Sequence, residues 1–201
     1  SYLLRGDYEK TVKYLQPIGD AHPNCMAVEA MLAWAAAQLG NEDRLLQGMA
    51  RLKRIDPITF EDLLMRGWVY SNYCPEIAIR DFQKARNDKP SSLMLLLCEA
   101  QAFRYQAELD VDPRLSLTSI ENAIDRLKAL QYLLPNSGTV ANEFAHCYML
   151  ASCRWGELKD EDRREFFRRA AADAIEIRPS DATFDSPYTR AMYQVMGQDW
   201  S

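Results

Sequence analysis

The chain has 201 residues, of which 48% are hydrophobic, and a formal net charge of −5. That balance argues against a nucleic-acid module, which usually shows a basic face dense enough to neutralise phosphates. Glycine is sparse, at eight residues, and no Asn-Gly or Asp-Gly hairpin signal occurs, which argues against an all-β domain. Taken in order, Gly6-Asp7-Tyr8 is a turn that opens an amphipathic helix, and Pro17, which lacks a backbone donor, should end or kink that helix. Gly40-Asn41 reads as the turn between a helix of about 24–39 and one of about 42–55. Pro75 supplies an N1 start to a later helix. Beyond it, Thr118-Ser119-Ile120-Glu121 reads as a capping box, after an insertion of about eleven residues around 107–117. Ile120, Ala123, Ile124, Leu127 and Leu130 give the helix it opens an apolar stripe at helical spacing. A further expanded turn is expected around Gly156–Asp160, followed by a helix carrying Phe166, Phe167, Ala170, Ala171, Ala174 and Ile177. Ser186 and Pro187 then form an N-cap and N1 pair for a last helix, whose Tyr188, Met192 and Val195 would cover the end of the stack.

The prolines carry a period. Pro57 follows Pro23 by 34 residues, Pro90 follows Pro57 by 33, Pro135 lies 45 further on and Pro179 another 44. Such spacing marks a stacked helical array. Counted from Met26, Phe60, Leu93 and Gly138, the eighth position is small each time: Ala33, Gly67, Ala100 and Ala145. Tyr70, Phe103 and Tyr148 recur at the eleventh. With these residues in phase the chain resembles the tetratricopeptide repeat family over nearly its whole length. The resemblance implies an all-α fold, an α-α superhelix built as a solenoid of antiparallel helix pairs. About ten helices are expected, in a right-handed stack forming a single repeat domain. The repeats would be 1–25 (partial), 26–59, 60–92, 93–137 and 138–181, with a C-terminal helix at 182–201. The partial first repeat reads as a segment of a longer protein. Glu29, Arg66 and Glu99 depart from the pattern, standing where large apolar residues are usual.

In this family the first helix of each pair lines a concave groove, chiefly through repeat positions 2, 5, 9, 12 and 13. Carried onto this chain, the resemblance places Ala30, Trp34, Ala37 and Gln38 there, then Leu64, Trp68, Ser71 and Asn72. Farther along come Leu97, Gln101, Arg104 and Tyr105, then Asn142, His146, Met149 and Leu150, with Arg190 in the final helix. The partner-binding candidates are Trp34, Gln38, Leu64, Trp68, Gln101, Arg104, Asn142 and His146. Trp34 and Trp68 share one repeat position and could anchor an apolar side chain of a partner; packing as core is the competing reading. Gln101, Arg104, Asn142 and His146 would make the groove polar and mildly basic, suited to a carboxylate or to the amides of an extended peptide. The Lys and Asn clamp of the chaperone-binding branch is absent, since its positions hold Ala30, Trp34, Leu64, Trp68, Leu97 and Gln101.

No catalytic constellation emerges. His22 and His146 do not form a metal-ligand spacing, and no phosphate loop, nucleophile elbow or HExxH motif is present. The basic run Arg163, Arg164, Arg168 and Arg169 is interleaved with Glu161, Asp162 and Glu165, which describes a solvated helix face. Five cysteines without a CxxC pair suit free thiols in a reducing, cytoplasmic setting. The leucine-rich run Leu93 to Cys98 is too short to cross a bilayer. The expectation is a non-catalytic scaffold, without cofactor or metal, that binds a protein or peptide in its groove. It would serve as an accessory to a larger signalling or assembly protein. Nucleic acid and membrane are not expected as partners. The alternatives are structural self-association at the N-terminal edge and, more distantly, a helical ligand sensor or enzyme.

Overall fold

A computed structural model describes residues 7–176. Those residues form α1 (Tyr8–Ala21), α2 (Met26–Gln38), α3 (Glu42–Leu52), α4 (Phe60–Tyr70) and α5 (Pro75–Asp88). They continue with α6 (Leu93–Leu109), α7 (Pro113–Leu133), α8 (Gly138–Glu157) and α9 (Glu161–Glu176). No strand occurs among the described residues. The helix expected after Pro179, with Arg190 on it, lies outside them. The chain divides into two compact units, Ser1–Cys98 and Glu99–Ser201, and the division falls inside α6.

In the first unit α1 packs on α2, α2 on α3 and α4, and α4 on α5. Three of these starts, those of α1, α3 and α4, have a side-chain cap. The Asp7 side chain accepts from the Lys10 amide, and the Asn41 side chain from the Arg44 amide. Thr59 and Asp62 exchange side-chain to backbone bonds in a reciprocal cap. Gly40 takes a positive φ of 66°, the left-handed turn that ends α2. α1 does not stop at Pro17 but runs on to Ala21. Pro17 removes one donor only, and both it and Lys13, whose carbonyl loses that donor, are exposed to water.

Small residues set the helix spacing. A Cβ placed on Gly48 of α3 would lie 2.8 Å from the Cβ of Ala33 on α2, and one on Gly67 of α4 would enter the fully buried ring of Phe82 on α5. Tyr70 is buried, and its hydroxyl donates to the Met49 carbonyl at 2.6 Å, joining α4 to the end of α3. Burial raises the Tyr70 phenol above its ordinary value.

The second unit lengthens its helices. The residues expected as an insertion at 107–117 extend α6 to Leu109 and start α7 at Pro113, leaving a three-residue turn. Asp112, whose side chain accepts from the Arg114 amide, is the N-cap, with Pro113 at N1. The expected cap at Thr118 is therefore one turn inside the helix, where its hydroxyl donates to the Arg114 carbonyl at 3.1 Å. An Asp-Pro pair presets both the cap and the first φ, and it wins over the weaker Thr-x-x-Glu pattern. The turn is clamped by Arg154 of α8, whose guanidinium donates to the carbonyls of Ala107 and Asp110 and to Ser116 Oγ. The turn between α8 and α9 likewise shrinks to residues 158–160, with Lys159 at a φ of 59°.

The three charged departures from the repeat pattern are paired within their helix pairs, Glu29 and Glu99 buried and Arg66 half-buried. Glu29 of α2 meets Arg51 of α3 at 3.4 Å, Arg66 of α4 grips Asp81 of α5 through two 2.7 Å bonds, and Arg126 of α7 reaches Glu99 of α6 at 3.1 Å. The hydrogen bond to Asp81 raises the Arg66 guanidinium above its ordinary value, against the opposing effect of burial. A position normally filled by leucine is thus occupied by one half of an ion pair whose other half sits on the adjacent helix.

Candidate partner-binding surface

The predicted residues separate by unit. In the first, Trp34 of α2 and Trp68 of α4 stack with ring centroids 4.9 Å apart and planes at 27°. Both are half-buried. They stack because a 34-residue interval returns the same face of the inner helix. Tyr8 of α1 extends the arrangement, its ring meeting Trp34 edge-on at 5.2 Å. Leu64 is half-buried one turn before Trp68, and Gln38 is exposed one turn after Trp34. Two neighbouring groove candidates are not on the surface: Ala30 is fully buried, and Ser71 is buried with its hydroxyl donating to the Gly67 carbonyl at 2.9 Å.

In the second unit the expectation of a mildly basic surface changes. Arg104 is only 6% exposed, so it cannot serve as a rim charge. Its Nε donates to Glu143 of α8 at 3.0 Å and its Nη1 to Glu108 at 2.5 Å, while the guanidinium lies over the Tyr105 ring at 4.0 Å. Burial acts to lower the Arg104 guanidinium, but Glu143, Tyr105 and Glu108 outweigh it and hold the group above its ordinary value. Gln101 donates to the other oxygen of Glu143 at 2.9 Å. One carboxylate therefore collects Gln101 and Arg104 from α6.

Asn142 and His146, also on α8, are half-buried beside this network. Burial first, and Arg104 second, lower the His146 imidazole below its ordinary value. At neutral pH the surface near His146 thus carries hydrogen-bonding groups with little net positive charge. Cys147 is fully buried, and burial pushes its thiol up, out of the reactive range.

Sequence reasoning missed Tyr8 and Glu143. Tyr8 lies outside the positions that line the groove in the repeat family. Glu143 sits one residue after a groove position, and its one signal was a carboxylate among the apolar residues of Val140 to Ala145, where burial calls for a cation. Neither histidine, nor any set of three or more His, Cys, Asp and Glu among the described residues, groups as metal ligands do. No helix among the described residues is long and apolar enough to cross a membrane.

Comparison with solved structures places the fold. The chain resembles the crystal structure of MamA, an all-helical protein of the tetratricopeptide-repeat-like type, with a TM-score of 0.54. The match covers 87% of this chain and 92% of MamA at 14% sequence identity. The architecture is therefore an all-α, repeat-like solenoid of adjacent helix pairs. No family model and no curated protein matches the sequence.

Proposed function

We propose that the chain is a divergent member of the tetratricopeptide repeat family and acts as a non-catalytic scaffold that binds a peptide or protein. The observation that carries this reading is the stacked, half-buried pair Trp34–Trp68 on the inner helices α2 and α4. Large aromatic rings left partly open on a rigid framework are the usual anchors of interface energy. Because each ring is already held by the other, little side-chain entropy remains to be lost on binding. The aromatic wall suits an apolar or aromatic partner side chain. The polar helix faces of the second unit, with Gln101, Asn142 and His146, suit the amides of an extended peptide. Gln38 and Leu64 flank the aromatic pair, and Arg104 acts by holding Glu143 and Gln101 in place. The cytoplasm, where thiols stay reduced, is the proposed setting.

The test is selection of peptides from a random library on the purified chain, followed by titration monitored by tryptophan fluorescence. Selected peptides should perturb the Trp34–Trp68 emission, and Trp68→Ala should weaken them by about 2 kcal/mol or more. Peptides that bind without touching that emission, and equally well to Trp68→Ala, would contradict the reading. Self-association through α1 is a second reading, favoured by the exposed Tyr14 and Ile18 on that helix. Sedimentation of the chain as a monomer at high concentration would remove it.

A further inference from the structure

A cavity of about 200 Å³ lies within the first unit, among α1, α2 and α3. Val12, Leu32 and Ala33 form an apolar wall, Gln16 and Gln47 add neutral amides, and Glu29, Arg44 and Arg51 bring charge. Glu29 is 1% exposed, yet its Oε2 has no hydrogen-bonding partner among the described residues. Only Oε1 is engaged, by Arg51 Nη1 at 3.4 Å. A buried carboxylate oxygen without a donor is costly, and Glu29 is among the residues that line this space. Arg44 is exposed and, among the described residues, pairs with no carboxylate.

Charge selects the occupant. A simple cation could satisfy Glu29 Oε2 but would meet two guanidinium groups. A simple anion could satisfy Arg44 but would leave Oε2 orphaned and would repel it. A molecule carrying both signs a few bonds apart answers both sides at once. The volume limits it to a small molecule, and the apolar wall accommodates a short aliphatic side chain. We infer that this cavity is a binding site for a small zwitterion of the α-amino-acid class, its ammonium on Glu29 and its carboxylate on Arg44 and Arg51. The site stands apart from the aromatic surface and does not depend on the scaffold reading.

Calorimetric titration of the purified chain with L-valine tests it, beside isobutylamine and isovalerate, each of which lacks one of the two charged groups. L-valine should bind saturably at one site per chain, and each half-ligand should bind at least about tenfold more weakly, the loss expected for one charged hydrogen bond. Glu29→Gln and Arg44→Ala should each weaken L-valine by at least about tenfold. Arg44 is on the surface, so its variant should keep the wild-type melting midpoint and decides the matter even if Glu29→Gln fails to fold. No saturable binding of L-valine, as expected of a cavity holding water alone, would overturn the inference. So would equal binding by either half-ligand, or undiminished binding by Arg44→Ala.

Discussion

The first helices of successive pairs meet in opposite ways in the two units. In the first unit α2 and α4 join through stacked indoles, Trp34 on Trp68. In the second, α6 and α8 join through a carboxylate, Glu143, that collects Gln101 and Arg104. The apolar junction leaves rings half-open and free to contact a partner. The polar junction consumes its charges internally, because Arg104 and Glu143 are both buried. The same helix-pair framework thus tolerates either chemistry between neighbours.

Breaking the polar junction should have the largest effect. Glu143→Ala leaves Arg104 buried with only the half-exposed Glu108, and removing one partner of a buried pair costs about 3–5 kcal/mol. Urea unfolding followed by circular dichroism measures it, and a loss below about 1 kcal/mol would show the pair to be solvated. The double replacement Arg104→Met with Glu143→Leu should recover most of that loss, since apolar side chains of similar volume often substitute for a buried pair without penalty.

Packing in the first unit gives the next effect. Gly67→Ala drives a methyl into the Phe82 ring, which is fully buried and cannot swing away. Overpacking of this kind costs about 1–3 kcal/mol, and a thermal melt reads it. An unchanged midpoint would mean that α4 and α5 can separate freely.

His146 supplies a smaller, pH-dependent contrast. Its imidazole is held below the ordinary value of about 6.5 in the folded chain, so the unfolded chain binds the proton first. The folded state is then fully favoured above that value and loses stability as pH falls below it. His146→Gln should flatten this acid-side loss and leave stability at pH 8 nearly unchanged. An identical pH profile in the variant would place the titration elsewhere. Least of all should change in Arg169→Ala. Arg169 and Glu165 form an exposed pair in which hydrogen bonds from Arg168 and Arg169 lower the Glu165 carboxyl to about 2. Such pairs add nothing measurable, and the melting midpoint should stay in place.

The periodic features of this architecture were legible in the sequence. α2, α4, α6 and α8 begin at Met26, Phe60, Leu93 and Gly138, the residues from which the repeats are counted. The small eighth residues lie at close helix approaches, as Ala33 against Gly48 and Gly67 against Phe82 show. Helix ends were less legible where two local signals compete, as at Asp112-Pro113 against Thr118, and where a proline sits on a wet face, as Pro17 does. The ion pairs within helix pairs were not legible. Glu29–Arg51, Arg66–Asp81 and Glu99–Arg126 span different sequence separations, so no fixed spacing announces them. The tryptophan pair was legible as neighbours, but its degree of exposure depends on what packs around it.

The central claim is that Trp34 and Trp68 serve recognition more than stability, and Trp68→Ala tests it most directly when urea unfolding and peptide titration are run on the same preparation. A half-buried, stacked ring should contribute roughly 2 kcal/mol to folding, while selected peptides lose about 2 kcal/mol or more of binding. A stability loss of about 3–5 kcal/mol, with peptide affinity of the folded fraction unchanged, would return both tryptophans to the core and contradict the account.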